Sequence, residues 1–149
     1  MTHKIKLRQA TASDMESVHQ LIVALGYPDI SKEKFHEGFN AVINHADSTV
    51  FLATDGSEKP LGLMTLSKRP QLRLAGMILC IDELAVLNEA RGSGIGSALL
   101  DKAKAFAGEI QAVRIELHTN RMRESYRRQF YLKNGFIEAN SALMRIDLG

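Results

Sequence analysis

At 149 residues the chain is long enough for one domain with a real hydrophobic core, and 45% apolar with 24% charged residues is an ordinary globular composition. A net charge of +2 gives no global pull toward nucleic acid, and no apolar run approaches the roughly 20 residues a membrane span needs. The stretch Met1–Arg8 lacks the apolar core of a signal peptide, and the single cysteine, Cys80, excludes an intrachain disulfide, so a cytoplasmic location is expected.

In chain order, Ile5 and Leu7 alternate with charges over residues 4–9 and predict a strand. Ser13-Asp14-Met15-Glu16 has the form of a capping box ahead of the stripe Met15, Val18, Ile22 and Leu25, and Gly26 and Pro28 end that helix. Ser31 can cap a second helix carrying Phe35, Phe39, Val42, Ile43 and Ala46 on one side. Val50–Ala53 reads as a strand, Asp55-Gly56 as a turn and Leu61–Leu66 as the hairpin partner. Residues 68–76 read as a loop or an irregular strand end, and residues 77–87 as a long apolar strand with Cys80 as a small core residue. Ile95, Leu99, Ala103, Phe106 and Ile110 mark a helix, and Val113, Ile115 and Leu117 alternate as a strand. A helix from about Ser125 to Asn134, a short strand and a last strand over Leu143–Leu148 complete the order β-α-α-β-β-β-α-β-α-β-β. No linker, repeat or low-complexity segment interrupts it, so a single α/β domain over residues 1–149 is expected.

The densest signal lies where the long strand passes into the third helix. Glu83-Leu84-Ala85-Val86 is followed by Arg91-Gly92-Ser93-Gly94-Ile95-Gly96-Ser97. Three glycines at alternate positions allow close backbone approach and positive φ, and the first amides of the helix lack intrahelical acceptors, a combination suited to phosphate or pyrophosphate. A dinucleotide fingerprint needs G-x-G-x-x-G, but counting from Gly92 the last position is Ser97, and from Gly94 it is Leu99. The Gly-Lys-Ser/Thr of a nucleoside-triphosphate loop is absent. Downstream, Phe130-Tyr131-Leu132-Lys133-Asn134-Gly135-Phe136 places a glycine where a helix C-terminus needs left-handed geometry.

Arg-Gly-x-Gly-Ile-Gly followed at this distance by F-Y-x-x-x-G-F resembles the Gcn5-related N-acetyltransferase (GNAT) superfamily. The resemblance covers the whole chain and implies a mixed, mostly antiparallel sheet of about six to seven strands flanked by about four helices, with acetyl-CoA as cosubstrate. More narrowly, Phe35-His36-Glu37-Gly38-Phe39-Asn40-Ala41 is similar to the F-x-x-G-F-N-A segment of aminoalkylphosphonate N-acetyltransferases, as are Glu83–Val86, Ala90-Arg91-Gly92, Thr119-Asn120 and Phe130–Leu132. Two stretches depart from that pattern. Glu124–Gln129 stands where the family has the shorter Asp-Ala-His-Arg, and Gln71–Gly76 holds none of the histidines of the family's loop.

The resemblance implies roles. Acetyl transfer to an amine needs a proton acceptor, an oxyanion donor and a group to receive the departing thiolate. Glu83 is the candidate base, direct or through water, with Asp82 on the opposite pleat side unless a bulge intervenes. Tyr131 is the candidate acid. The backbone of Leu84, Ala85 and Val86 is expected to pair with the pantetheine arm and supply the oxyanion donor. Arg91, Ser93, Gly94, Gly96 and Ser97 surround the pyrophosphate, with Gly92 and Ile95 shaping the loop. Asn120 either hydrogen-bonds the pantetheine or fixes the loop before the last helix. His36 and Asn40, four apart on one helix face, and Arg73 are the acceptor-site candidates, among further arginines at 69, 121, 123, 127 and 128. The histidines at 3, 19, 36, 45 and 118 show no ligand spacing, so no metal is expected.

A small amine is therefore the expected partner, with no nucleic acid and no membrane, and an aminoalkylphosphonate or related anionic amine leads. Aminoglycoside, polyamine or peptide amines stay open as acceptors. So do a non-catalytic acyl-CoA sensor and a homodimer formed through an edge strand.

Overall fold

The computed structural model describes residues 4–27 and 30–149, which form two compact units, one ending at His118 and one starting at Thr119. Pro28 and His3 lie outside the described residues.

The first unit is a five-stranded sheet in sequential order: β1 (Lys6–Gln9), β2 (Ser48–Thr54), β3 (Gly62–Gln71), β4 (Gly76–Val86) and β5 (Arg114–Leu117). The first four are antiparallel neighbours, and β5 lies parallel to β4 after the crossover through helix α3 (Ile95–Glu109). Helices α1 (Met15–Leu25) and α2 (Lys32–Ile43) come between β1 and β2.

Strand alternation divides the apolar side chains between two layers. Val50, Leu52, Leu63 and Ala85 pack with Val18, Leu21 and Ile22 of α1 and Phe39 of α2. The opposite face meets α3: Phe51 stands edge-on to Phe106 at 6.2 Å, and Ile95, Leu99, Leu100 and Ala103 are all at most 2% exposed. Gly62 permits that contact, because a Cβ there would sit 2.6 Å from Ile95 Cγ2 and 3.3 Å from Leu99 Cδ1.

Caps account for the helix limits. The Ser31 hydroxyl accepts the Lys34 N–H at 3.2 Å and starts α2. Gly26 closes α1, its N–H donating to Val23 O at 3.0 Å. The capping device before α1 forms two residues upstream of the expected one: Asp14 accepts the Thr11 N–H at 2.8 Å and both Arg8 Nη groups at 2.8 Å. Residues 68–71, read as loop or strand end, continue β3, and a 3-10 turn over Leu72–Leu74 leads into β4.

The second unit departs most from expectation. The helix expected from about Ser125 to Asn134 is two four-residue helices, α4 (Glu124–Arg127) and α5 (Phe130–Lys133), separated where Gln129 takes a left-handed φ of 59°. The two strands expected after it do not form, so the sheet has five strands rather than six to seven. The physical reason is that alternation supplies a face but not a ladder partner. Leu143, Met144, Ile146 and Leu148 pair with no strand and stay 62–86% exposed. Val42 and Ala46 also leave their expected face, Val42 at 37% exposure and Ala46 beyond the end of α2.

Candidate active site

Glu83 owes its position to an irregularity in the sheet. Thr65 on β3 opposes Glu83, but the next residue, Leu66, opposes Ile81, which leaves Asp82 as an inserted residue. The insertion reverses the pleat, so that Leu63, Thr65 and Ser67 share one face with Ala85, Glu83 and Cys80. Leu63 and Ala85 belong to the core under α1 and α2, so Glu83 lies on that side of the sheet. Asp82 is the exposed bulge residue.

The Glu83 carboxylate accepts a hydrogen bond from the Thr65 hydroxyl, and the hydroxyl oxygen accepts the Glu83 N–H at 2.9 Å. Thr65 is buried and Glu83 partly so. Burial, followed by the charge of neighbouring Asp82, raises the Glu83 pKa from the usual 4.5 to about 7. A carboxyl group titrating there is matched to proton transfer near neutrality. Sequence reasoning did not single out Thr65; its only trace is one hydroxyl inside the apolar run Leu63–Leu66.

Next to Glu83 the sheet opens. The β4–β5 pairing ends at Ile81 and Leu117, so over Asp82–Val86 β4 has no β5 partner. Leu84, Ala85 and Val86 lie in this segment. At the point of divergence a hollow of about 270 Å³ is lined by Ser67, Arg69, Cys80, Asp82, Glu116 and His118. Cys80 is half-buried there rather than a full core residue; burial pushes its thiol pKa up, against the opposing influence of Arg69. Glu116 binds Arg114 at 3.2 Å and Arg73 at 3.9 Å. Arg73, on the turn before β4, is thus engaged with a carboxylate. His36 is exposed on α2 and Asn40 half-buried, and neither lines this hollow.

Beyond β4 the chain makes a 3-10 turn over Asn88–Ala90, and the Ser93 hydroxyl donates to the Ala90 carbonyl, folding the glycine segment back on itself. Gly92 and Gly94 have φ of 80° and 89°, while Gly96 is an ordinary residue within α3. Gly94 is the N-cap and offers no side chain, no acid occupies the first turn, and the first intrahelical bond runs from Ala98 N to Gly94 O at 3.0 Å. The amides of Ile95, Gly96 and Ser97 therefore meet no intrahelical acceptor, at the positive end of a 15-residue helix. Ile95 is 2% exposed and anchors the turn in the core, whereas Arg91 and Ser93 are exposed.

In the second unit Tyr131 lies edge-on to Phe130 at 5.1 Å and to Phe136 at 6.0 Å. Gly135, at φ 92°, closes α5 with paired bonds, Phe136 N to Tyr131 O at 3.0 Å and Gly135 N to Leu132 O at 3.1 Å, the motif the F-Y-x-x-x-G-F spacing requires. Burial raises the phenol pKa above its usual value, with Arg123 opposing. Asn120 fixes its own loop: its Oδ1 accepts the Met122 N–H at 2.8 Å and its carbonyl accepts the Arg123 N–H at 3.0 Å. The arginine cluster is partly neutralised, since Glu138 binds Arg121 at 2.5 Å and accepts the Tyr126 hydroxyl at 3.0 Å, while Arg128 stacks over Phe130 at 5.5 Å.

Comparison with known proteins bears on what this arrangement does. The family described as the acetyltransferase (GNAT) domain matches residues 46–138. An aminoalkylphosphonate N-acetyltransferase of Salmonella typhimurium is 35% identical over 135 residues, 91% of this chain and 86% of that protein. Among solved structures, a transcriptional regulator from Bacillus halodurans superposes with a TM-score of 0.82 at 22% identity, covering 97% of this chain and 100% of that one. A GNAT family acetyltransferase of Staphylococcus aureus superposes with a TM-score of 0.78 at 23% identity, over 95% and 98% of the two chains. At those identities the structures speak for the fold alone.

Proposed function

Because the chain belongs to the GNAT acetyltransferases, we propose that this N-acetyltransferase moves acetyl from acetyl-CoA directly to the primary amine of a small anionic acceptor, an aminoalkylphosphonate or a close relative. The observation that carries the reading is Glu83, a partly buried carboxyl with a pKa of about 7 beside the opening of the β4–β5 ladder. The substrate class rests on the Salmonella relative.

The residues fit the donor. The uncapped N-terminus of α3 presents the amides of Ile95, Gly96 and Ser97 to an anion, with Arg91 close in the chain and Ser93 bracing the turn through the Ala90 carbonyl, as a pyrophosphate requires. The β4 segment Leu84–Val86, beyond the last β5 pair, has backbone free on that side for an extended amide-bearing arm. When bound, acetyl-CoA supplies the activated acyl carbon and a thiolate leaving group.

The chain's own groups do the rest. Only the free amine attacks, so Glu83 takes the ammonium proton, and the Thr65 hydroxyl holds the carboxylate in one orientation while it does so. An amide among Leu84–Val86 donates to the developing oxyanion. The family resemblance assigns the proton taken up by the departing sulfur to Tyr131, whose phenol burial keeps in its protonated form.

The test is a thiol-release assay with acetyl-CoA over aminomethyl- and 2-aminoethylphosphonate, an aminoglycoside, spermidine and a short peptide. Turnover confined to the phosphonates is the expected result. Turnover only on a cationic amine discards the acceptor class. Tight acetyl-CoA binding with no turnover on any amine favours a sensor.

A further inference from the structure

We propose that the hollow beside Glu83 receives the acceptor and that Arg69 holds its acid group, an assignment that rests on the anionic-acceptor reading above.

On one face of the sheet, β3 presents Thr65, Ser67 and Arg69 in succession, opposite Glu83, Cys80 and Ile78 of β4. Charge therefore changes sign along this face, from Glu83 and neighbouring Asp82 at one end to Arg69 at the other. Arg69 lines the hollow together with the Cys80 thiol, which stands one rung nearer Glu83, and with Asp82. One hollow thus brings the cation and the acids within reach of a molecule whose amine and acid groups are joined by a short carbon chain.

Pairing points the same way. Arg73 and Arg114 are both engaged by Glu116, whereas among the described residues no carboxylate lies within 4.0 Å of Arg69. A guanidinium's five-donor fork offers a planar pair of N–H groups to the oxygens of an anion. Ser67 and His118 line the same hollow and add donors. With Glu116 neutralised by its arginines, Asp82 is the remaining acid, and it stands at the amine end. A hollow of about 270 Å³ suits a ligand below drug size.

The experiment compares steady-state kinetics of wild type, Arg69→Gln and Arg69→Lys with 2-aminoethylphosphonate and with propylamine, a neutral amine of similar length. Wild type should prefer the phosphonate. Arg69→Gln should raise the phosphonate KM at least tenfold, leave kcat within twofold and leave kcat/KM for propylamine within twofold, and Arg69→Lys should recover part of the loss. If wild type shows no preference for the phosphonate, the anionic-acceptor reading falls and takes this assignment with it. If wild type prefers the phosphonate but Arg69→Gln leaves that preference intact, or weakens both amines equally, the assignment to Arg69 alone is overturned.

Discussion

Thr65 and Glu83 face each other across the β3–β4 ladder and are joined twice, the hydroxyl donating to the carboxylate and accepting the Glu83 backbone N–H. One buried hydroxyl thus sets both the rotamer and the charge balance of the candidate base. Removing it by Thr65→Val leaves the volume nearly unchanged but withdraws a donor from the ionised form. We expect kcat/KM to fall about tenfold, the worth of one hydrogen bond to a charged group. The acid limb of its pH profile should move to higher pH, because the carboxylate loses its stabilising partner. Thr65→Ser should restore both. An unchanged limb would separate Thr65 from the base.

For Glu83 itself, wild-type kcat/KM should rise with pH through about 7 as the carboxyl loses its proton. Glu83→Gln should lower the rate by about 10²–10⁴ and abolish that limb.

The same substitution should act on stability with a defined sign. Glu83 titrates near 7 in the folded chain and near 4.5 in the unfolded one, so its contribution is fully present below pH 4.5 and is lost as pH rises through 7. Above that range, ionised Glu83 disfavours folding by at most about 3 kcal/mol. Thermal unfolding should therefore find Glu83→Gln close to wild type at pH 4 and more stable at pH 8. A variant less stable at pH 8 than at pH 4, relative to wild type, would contradict the burial argument.

The Arg8–Asp14 pair runs the opposite way. The hydrogen bonds from Arg8, with the Thr11 amide, hold the Asp14 carboxyl at about 2 against the usual 3.8. The stabilisation is present above pH 3.8 and is lost as pH falls through 2. Asp14→Asn should cost about 2 kcal/mol in urea unfolding at pH 7 and progressively less toward pH 2.

At Gly62 a methyl group would meet Ile95 Cγ2 at 2.6 Å, where α3 begins. Ile95 is β-branched and has little freedom to yield. Gly62→Ala should destabilise by about 1–3 kcal/mol as an overpacked core. It should also weaken acetyl-CoA binding, measured by calorimetry, because Ile95 anchors the turn proposed above to receive the pyrophosphate.

Much of this molecule is legible in its residues. The Ser31 cap, the stripe Ile95, Leu99 and Ala103, and the left-handed Gly135 all follow from local chemistry, and each forms as the residue pattern requires. What escapes is whatever depends on a second chain segment. Leu143, Met144, Ile146 and Leu148 carry a strand-like pattern, but no neighbouring backbone pairs with them. The insertion at Asp82 leaves no mark in the apolar pattern of residues 77–87, so the side on which Glu83 lies follows only from the register with β3. Thr65 is inconspicuous for the same reason, since its meaning comes from the residue opposite.

The bulge at Asp82 separates the fates of two neighbouring acids. Glu83 opposes Thr65 and Ile81 opposes Leu66, so a chain without the one residue between them would close a regular ladder with its glutamate still facing the same hydroxyl. What the extra residue adds is a second carboxylate that occupies no rung and stands exposed beside the first, where its charge helps keep the proton on Glu83. The base is thus placed by its cross-strand partner and tuned by a residue the ladder does not count.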